Sequence, residues 1–366
     1  MTPKELVDRA MRLERTPRYP VMCQMANGHT IINTRVHPID YFTRDDIWAD
    51  CLLKMRQSYD FDGILCHKPG RVHGLMELVE RADYDAEVPT LYLKDESRIE
   101  CTRDDDAYYK KPVGFRYPTL ESIDFEHPLE WAPESFRAFQ ASKATYDYCT
   151  PEEIPDHVFG TLDRVIARAG SIYSVHGEVR APLDHFLNLL GMEDGLMAML
   201  DNPEGTLRLL EKTTQWSVAL ALAQVRRGAH AIKISSPFAG MGFLAPAMYR
   251  EFVIPFERRI AQAVKAEGAY VYTHTCGAIG DRLDLMVESQ VSGIECLDPP
   301  PLGNVDPVNT LLRGDAEKVR RDVTEILETA GHDMRGFILS SACSVAPPVN
   351  PDNLKLMVDL CRHFKP

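Results

Sequence analysis

Short apolar runs alternate with longer segments of helical periodicity along most of this chain. The short runs are rich in Val, Ile, Leu and Tyr, which is typical of buried strands. We predict strands at 20–25, 62–68, 171–178, 231–236, 269–276, 293–298 and 336–343. Helical patterns lie at 43–58, 157–169, 183–200, 203–227, 246–267, 279–290, 315–330 and 351–364. This alternation of strand and helix predicts a parallel sheet whose strands are connected by helices.

Several predicted strands end in His, Cys, Glu or Ser and are followed by a loop. In a (β/α)8 barrel the active site lies at this C-terminal rim. The predicted strands number seven, whereas such a barrel needs eight, and the shortfall falls between 299 and 314. Either one strand is irregular, or one strand-helix unit is missing from the sequence. We predict an α/β protein, a (β/α)8 TIM barrel forming a single domain over 1–366 with that unit missing.

Residues 72–158 break the alternation. Their first part is typical of an antiparallel hairpin with a charged turn, and a connection rich in Pro and Glu follows. We predict that 72–158 is an insertion over the barrel mouth.

Composition narrows the possible partners. The chain has 366 residues and a formal net charge of −13, which disfavours nucleic acid and anionic membranes. The apolar stretches fall short of the roughly 20 residues that span a bilayer, and the first residues do not form a secretory signal, so we expect a cytoplasmic protein. Nine cysteines at irregular spacings do not suggest a disulfide framework, and we expect most of them to be reduced.

A His and a Cys end one predicted strand, in the stretch YVYTHTCG. Alternation along a strand places Tyr270, Tyr272, His274 and Cys276 on one face. The last predicted strand ends at Cys343, which a barrel would bring to the same rim. One imidazole and two thiolates are typical of a catalytic zinc site, which keeps one position open for substrate. The alternative is that His274 and Cys276 are simply core residues.

Further candidates lie near the ends of other predicted strands. Glu178 is expected to act as an exchangeable fourth ligand or a general base, or else to cap the next helix. The substrate-binding candidates are Asn27, His29, His67, His176, Tyr270 and Tyr272. The two tyrosines are predicted to wall a pocket for a flat substrate, although core packing explains them equally well.

Three segments resemble the uroporphyrinogen decarboxylase superfamily. They are 231–277, which ends in THTCG, the GNVDP segment at 303–307, and 336–358, which begins GFILSSAC; 177–204 is similar too. The resemblance covers most of 160–366 and implies a (β/α)8 barrel. It also implies two branches, metal-free decarboxylases and zinc methyltransferases that work with corrinoids. His274, Cys276 and Cys343 match the zinc mark of the methyltransferase branch.

Two departures from the decarboxylase pattern favour the same branch. The first predicted strand, PVMCQM, lacks the arginine that binds tetrapyrrole carboxylates, and Ser236 stands where the family has an acidic residue. We therefore expect a site that is short of fixed cations. The family's strand and helix before GNVDP are also missing, which agrees with the count of seven strands.

The resemblance implies a zinc-dependent methyltransferase that exchanges a methyl group between a small substrate and a corrinoid (cobalamin), carried on a partner protein. The pair of tyrosines favours a methoxylated substrate and O-demethylation, while the donor, the acceptor and the direction of transfer stay open. The alternatives are a decarboxylase-type lyase acting on a tetrapyrrole and a corrinoid- or metal-binding module without turnover.

Overall fold

A computed structural model describes residues 1–295 and 303–365 of the chain. The strands are β1 Gly63–Cys66, β2 Val79–Asp83, β3 Thr90–Leu93, β4 Arg98–Cys101, β5 Ala107–Lys110, β6 Ser174–Arg180, β7 Ala231–Ser235, β8 Tyr270–His274 and β9 Gly293–Glu295. Five of them form a parallel sheet in the order β1-β6-β7-β8-β9. Each of these five matches a predicted strand to within a few residues.

The helices connect the strands and cover the outside of the sheet. They are α1 Pro3–Met11, α2 Asn27–Thr34, α3 Pro38–Thr43, α4 Asp45–Tyr59, α5 Glu134–Ala141, α6 Gly160–Ala169, α7 Pro182–Leu190, α8 Met192–Asp201, α9 Pro203–Arg226, α10 Pro246–Phe252, α11 Ile254–Ala266, α12 Leu283–Glu288, α13 Ala316–Ala330 and α14 Pro351–His363. Within the described residues, no helix combines the length and the apolar character needed to cross a bilayer.

Two irregular segments extend the sheet toward a closed ring. Parallel bridges join Val21 to Leu339 and Met25 to Val345. The backbone N–H of Asp62, just before β1, donates to the carbonyl of Val21 at 2.8 Å. The predicted strands at 20–25 and 336–343 therefore occupy two neighbouring wall positions, with bridges in place of continuous ladders.

In the part of the chain that the structure describes, the eighth wall position is occupied by one residue, Val305. It forms a parallel bridge with Ser341, and a π-helix at Pro307–Leu312 follows it. Within the described residues, the strand absent from the pattern analysis is thus one bridging residue, which gives no hydrophobic run. The predicted strand 293–298 extends beyond the described residues, and the described part of the chain shows no pairing between β9 and Val305. The predicted α/β barrel is confirmed, with three irregular wall positions, at 20–25, at Val305 and at 336–343.

Two predicted helices are each divided in two. The segment 183–200 forms α7 and α8, which meet at Gly191 with a φ of 87°, a conformation that favours glycine. The segment 246–267 forms α10 and α11, which meet at Val253. Pro255, two residues after Val253, lacks the N–H that a continuous helix would use.

The predicted insertion contains more structure than a hairpin. Strands β2 to β5 form an antiparallel sheet in sequential order, and α5 follows. This sheet and α5 lie after β1 and before α6 in the chain. The chain therefore leaves the barrel at the C-terminal end of β1 and returns at the start of α6.

Candidate metal centre

Three ligand side chains converge at the C-terminal rim of the barrel. His274 is the last residue of β8, Cys276 follows two residues later, and Cys343 lies in the loop after Ser341. The His274 Nε2 and Cys276 Sγ atoms are 3.3 Å apart, and the Cys276 and Cys343 Sγ atoms are 3.9 Å apart. All three ligand atoms lie within 4.8 Å of one another. The structure therefore brings together the three residues that the sequence singled out.

The spacing of these atoms fits a zinc ion. With Zn–S bonds of about 2.3 Å and Zn–N bonds of about 2.0 Å, tetrahedral geometry places two sulfur ligands about 3.8 Å apart and a nitrogen about 3.5 Å from a sulfur. The observed separations of 3.9 Å and 3.3 Å agree with those values. Three protein ligands also leave a fourth tetrahedral position available for a substrate atom.

Glu295 lies beside the histidine ligand, on the next strand. It is the register partner of His274 in the β8–β9 pair, and its Oε2 lies 3.7 Å from His274 Nδ1. A carboxylate on the second ring nitrogen fixes the tautomer and leaves Nε2 for the metal. Burial raises the pKa of Glu295, but the charges of Lys233 and His274 lower it to about 2. Sequence reasoning missed Glu295, although an acidic residue inside the predicted strand GIECLD was a usable signal.

The surroundings of His274 and Cys276 raise the pKa values of both side chains. Burial and Lys233 lower the pKa of His274, but hydrogen bonding with Cys343 and Glu295 outweighs them and raises it. The hydrogen bond with Cys343, and then burial, raise the pKa of Cys276. A metal must therefore displace protons from this cluster, which is the usual behaviour of thiolate and imidazole ligands.

A buried lysine connects Glu295 to the predicted catalytic residue Glu178. Lys233 is fully buried, and its Nζ lies 3.5 Å from Glu178 Oε2 and 3.4 Å from Glu295 Oε2. It also donates to Gln24 Oε1. Glu178 is bound to Lys233 and is outside the group of converging ligands, so neither the cap nor the fourth ligand predicted for it is observed. Lysine in the middle of the apolar strand AIKISS was the sequence signal for this ion pair.

A cavity of about 410 Å³ lies beside the cluster. Ser235, the register partner of His274, and Ser344, the neighbour of Cys343, are part of its wall. The wall contains Gln24, Met25, Ala26, Asn27, His67, Lys68, Asp105, Asp106, Lys143, Ala144, Glu178, Val179, Arg180, Asp184, Asn188, Ser235, Pro237, Phe238 and Ser344. Four of these residues belong to the predicted insertion. The cavity is therefore shared between the barrel rim and the segment above it.

Asn27 and His67 reach this cavity, whereas His29 does not. Asn27 begins α2 and donates to Asp106 Oδ1 at 2.9 Å. Burial, followed by nearby cations, lowers the pKa of His67 to about 3, so this imidazole is neutral. His29 is fully buried among structural partners, with its ring nitrogens at Tyr59 and the carbonyl of Pro347. The position predicted for His29 as a rim residue is wrong, because α2 turns its side chain into the core.

His176 and Tyr272 lie deeper inside the barrel. The Tyr272 hydroxyl is 3.0 Å from His176 Nδ1, and the Ser174 hydroxyl is 2.8 Å from His176 Nε2. Both rings line a second cavity of about 180 Å³, whose wall also includes Gln24 and Glu295. Burial lowers the pKa of His176 to about 3. Neither side chain lines the cavity beside the metal cluster, because each lies before the C-terminal end of its strand and so below the rim of the barrel.

Tyr270 lies at the opposite end of the barrel from the cluster. It begins β8, and its hydroxyl donates to Asp8 Oδ1 of α1 at 2.8 Å. Four residues of strand separate it from His274, which is about 13 Å. The predicted tyrosine wall beside the ligands is therefore wrong, because shared parity along a strand does not imply a shared depth in the barrel.

The cavity also contains more cations than the sequence suggested. Lys68, Lys143 and Arg180 all line it, and none of them belongs to the first predicted strand. The expectation of a site short of fixed cations is wrong. It relied on one strand, whereas β1, β6 and the insertion supply these side chains.

Residues 113–364 match the family model described as Uroporphyrinogen decarboxylase (URO-D). Among curated relatives, a Uroporphyrinogen decarboxylase of Syntrophotalea carbinolica is 31% identical over 49% of this chain and 52% of its own length. A Methylated-thiol--coenzyme M methyltransferase of Methanosarcina mazei is 25% identical over 59% of this chain and 63% of its own. A Methylcobamide:CoM methyltransferase MtbA of Methanosarcina acetivorans is 26% identical over 43% of this chain and 49% of its own length.

This chain thus spans about half to three-fifths of the length of these relatives. A solved methyltransferase structure from Methanosarcina mazei superposes with a TM-score of 0.71, covering 100% of this chain and 99% of its own, at 18% identity. This similarity is one of fold.

Proposed function

Since this chain belongs to the uroporphyrinogen decarboxylase family, we propose that it is a zinc-dependent methyltransferase that moves a methyl group between a small methylated substrate and a corrinoid. The observation that carries the proposal is the convergence of His274, Cys276 and Cys343. Two of its relatives are named as methyltransferases, one of them acting with a methylcobamide. The corrinoid is proposed to be carried by a partner protein, and the cytoplasmic location stays a prediction.

The three ligands would hold the zinc, which when bound supplies a Lewis acid for the heteroatom that loses or gains the methyl group. The corrinoid, in this proposal, carries the methyl group. Glu295 keeps His274 in one orientation, and Lys233 neutralises Glu295 so that this carboxylate can stay buried. The chain therefore provides a fixed ligand set whose open side can face the adjacent cavity.

Glu178 is the proposed proton-transfer group. Its carboxylate lines the cavity, and its Oε2 is held by Lys233 at 3.5 Å. Transfer of a methyl group away from oxygen or nitrogen leaves a basic atom that takes up a proton, and transfer to a thiol releases one. Glu178 can serve either direction, as a carboxylic acid that donates the proton or as a carboxylate that accepts it. The methoxylated substrate favoured earlier loses its support, because it relied on the two tyrosines.

A decarboxylase is the second candidate, and a specific observation favours it. Lys68, Lys143 and Arg180 in the cavity wall suit carboxylate groups, and several relatives are named Uroporphyrinogen decarboxylase. A decarboxylase of the metal-free branch has no need of converging thiols. Metal content therefore separates the two candidates.

The deciding experiment measures zinc and methyl transfer together. We expect about one zinc per chain in the purified protein and its loss in Cys276→Ala. The protein is then mixed with Co(I) cobalamin and a panel of methyl donors while the corrinoid absorbance is followed. Cys149→Ala, a partly buried thiol outside the cluster, is the matched control and should retain metal and activity. Absence of zinc would favour the decarboxylase, and zinc without methyl transfer would favour a binding module.

Glu178→Gln tests the role of the carboxylate. We expect retention of zinc together with a decrease in turnover of about 100-fold, the usual scale for a general acid or base. Metal analysis and turnover of the same preparation provide the measurement. Unchanged turnover would leave Glu178 as a structural partner of Lys233.

A further inference from the structure

One buried lysine in the cavity wall forms no direct ion pair with any described residue. Lys68 follows β1 by two residues and is only 9% exposed, yet it forms no hydrogen bond or ion pair with any described residue. It lines the cavity beside the metal cluster. Burying an ammonium group without a partner is costly, and burial lowers the pKa of Lys68 to about 7. The side chain is therefore placed to accept an anion from the cavity.

Arg180 offers further donors in the same wall. It ends β6, the strand that pairs with β1, and its Nε donates to the carbonyl of Lys143 at 2.8 Å. Its two terminal amino groups have no partner within the part of the chain that the structure describes. A guanidinium stays charged and presents two parallel donors to an oxyanion. Lys68 and Arg180 thus provide available donors on adjacent strands.

The acids of the cavity wall offset the charge of Lys68 only in part, chiefly through Asp106. Asp106 pairs with Lys143 and accepts from Asn27, and Glu178 pairs with Lys233. Burial raises the pKa of Asp184 to about 7, although Arg180 opposes this, so its carboxyl is largely protonated below neutral pH. Asp106 favours the charged form of Lys68, whereas Lys143, Arg71 and Arg180 oppose it.

We propose that Lys68 and Arg180 form an oxyanion subsite that binds a carboxylate of the methylated substrate. The inference rests on the proposed function, since the heteroatom is assigned to the metal centre and the carboxylate to this subsite. Arg180 pairs in register with Ser235, and Ser235 with His274. Arg180 and His274 are therefore two strand spacings apart, which is about 10 Å between their backbones. Their side chains extend toward each other and shorten this distance. The substrate class is therefore a small methylated acid, with a few bonds between heteroatom and carboxylate.

Calorimetry with matched acid and amide probes tests this subsite. The probes are 3-(methylsulfanyl)propanoate, 3-methoxypropanoate, their neutral amides, and propanoate, which lacks a methylated heteroatom. We expect the acids to bind at least about tenfold more tightly than the amides, because charge-assisted hydrogen bonds are lost in the amides. Lys68→Met should remove most of this preference and Lys68→Arg should retain it. Lys54→Met, at an exposed position, is the control.

A pH profile of the unmodified protein tests the subsite independently of any variant. The affinity for propanoate should fall by about tenfold between pH 6.5 and pH 8.5, because Lys68 loses its proton over this range. Equal affinity for acids and amides, or an acid preference unchanged in Lys68→Met, would overturn the proposal. Asp184 also loses its proton over this range, so the profile is repeated with Asp184→Asn. If Lys68→Met does not fold, a flat profile in Asp184→Asn overturns the proposal and a falling one supports it.

The two proposals can fail separately. Binding of propanoate that depends on Lys68, without methyl transfer from any donor, supports the subsite and contradicts the methyltransferase. Methyl transfer from the amides as fast as from the acids supports the methyltransferase and contradicts the subsite.

Discussion

Each metal ligand contributes one donor atom to a cluster built from distant parts of the chain. Cys343 lies 67 residues after Cys276, yet the two sulfur atoms are 3.9 Å apart. The side chains of both are only partly buried, so neither is an important part of the hydrophobic core. At this scale, a ligand substitution should affect metal binding much more than folding.

Cys343→Ala is expected to lower zinc affinity by more than the 10- to 100-fold typical of a residue that merely supports a ligand. Two protein ligands remain, and the free energy of unfolding of the metal-free protein should change little. Zinc titration against a chromogenic chelator measures the affinity, with Cys149→Ala as control. Full zinc occupancy in Cys343→Ala would remove this residue from the site.

Glu257 should make stability depend on pH. This carboxyl is 1% exposed and accepts from Thr273 at 3.0 Å, and burial raises its pKa from 4.5 to about 7. Between these two values the folded state holds the proton more firmly than the unfolded chain. The stabilisation is therefore full below about pH 4.5 and is lost as pH rises through about 7, at a cost of roughly 2 to 3 kcal/mol between pH 5 and pH 8.

Glu257→Gln removes this ionisation. We expect the variant to gain about 2 kcal/mol relative to the natural protein on going from pH 5 to pH 8. Urea unfolding at both pH values measures the difference, and Glu251→Gln, an exposed glutamate on α10, is the control. Parallel stability profiles for the variant and the natural protein would contradict the assignment.

At the scale of elements, the loop after β7 supports the loop that carries Cys276. A Cβ added at Gly240 would lie 2.3 Å from the carbonyl oxygen of Cys276, whereas one added at Gly242 would meet nothing within 4 Å. The close approach involves backbone, which cannot rotate away as a side chain can. Gly240 is therefore required by the packing of one strand-end loop against the next.

Gly240→Ala should displace the backbone of Cys276 and weaken zinc binding by about tenfold or more, on the scale of other supporting changes. Gly242→Ala is the matched control in the same loop and should bind zinc normally. Zinc affinity and thermal unfolding of both variants provide the measurement. Equal affinities would show that the Cys276 loop adjusts to the added methyl group.

At the scale of the whole molecule, the metal centre lies apart from the groups of residues that stabilise the fold. Three clusters of buried apolar side chains pack around the sheet, and the cluster of ligands is at the rim. Helix α1 closes the other end through Asp8, which binds Tyr270. The barrel should therefore keep its structure without metal.

Removal of zinc by a chelator is expected to leave the far-ultraviolet circular dichroism unchanged. The melting temperature should fall by about 8 °C or less, because a ligand present at a thousandfold excess over its Kd stabilises by about 4 kcal/mol. Addition of zinc should restore the original melting temperature. Loss of the helical signal on chelation would show instead that the metal is needed for folding.

The sequence by itself determined the alternation of strands and helices, the barrel class, and the three candidate ligands. These follow from local periodicity and from residue types at strand ends, which a single strand or helix already contains. It did not determine the one-residue wall position at Val305, since a single bridge leaves no hydrophobic run. The depth of Tyr270 could have been predicted, since it precedes His274 by four residues along one strand. The contacts of Tyr270 with α1 and of Tyr272 with His176 were decided by the tertiary structure. The tertiary structure likewise decided the partners of Lys233 and left Lys68 without a described partner. These contacts involve β1, β6, β7 and β9, whose side chains come together when the sheet curves around its own interior.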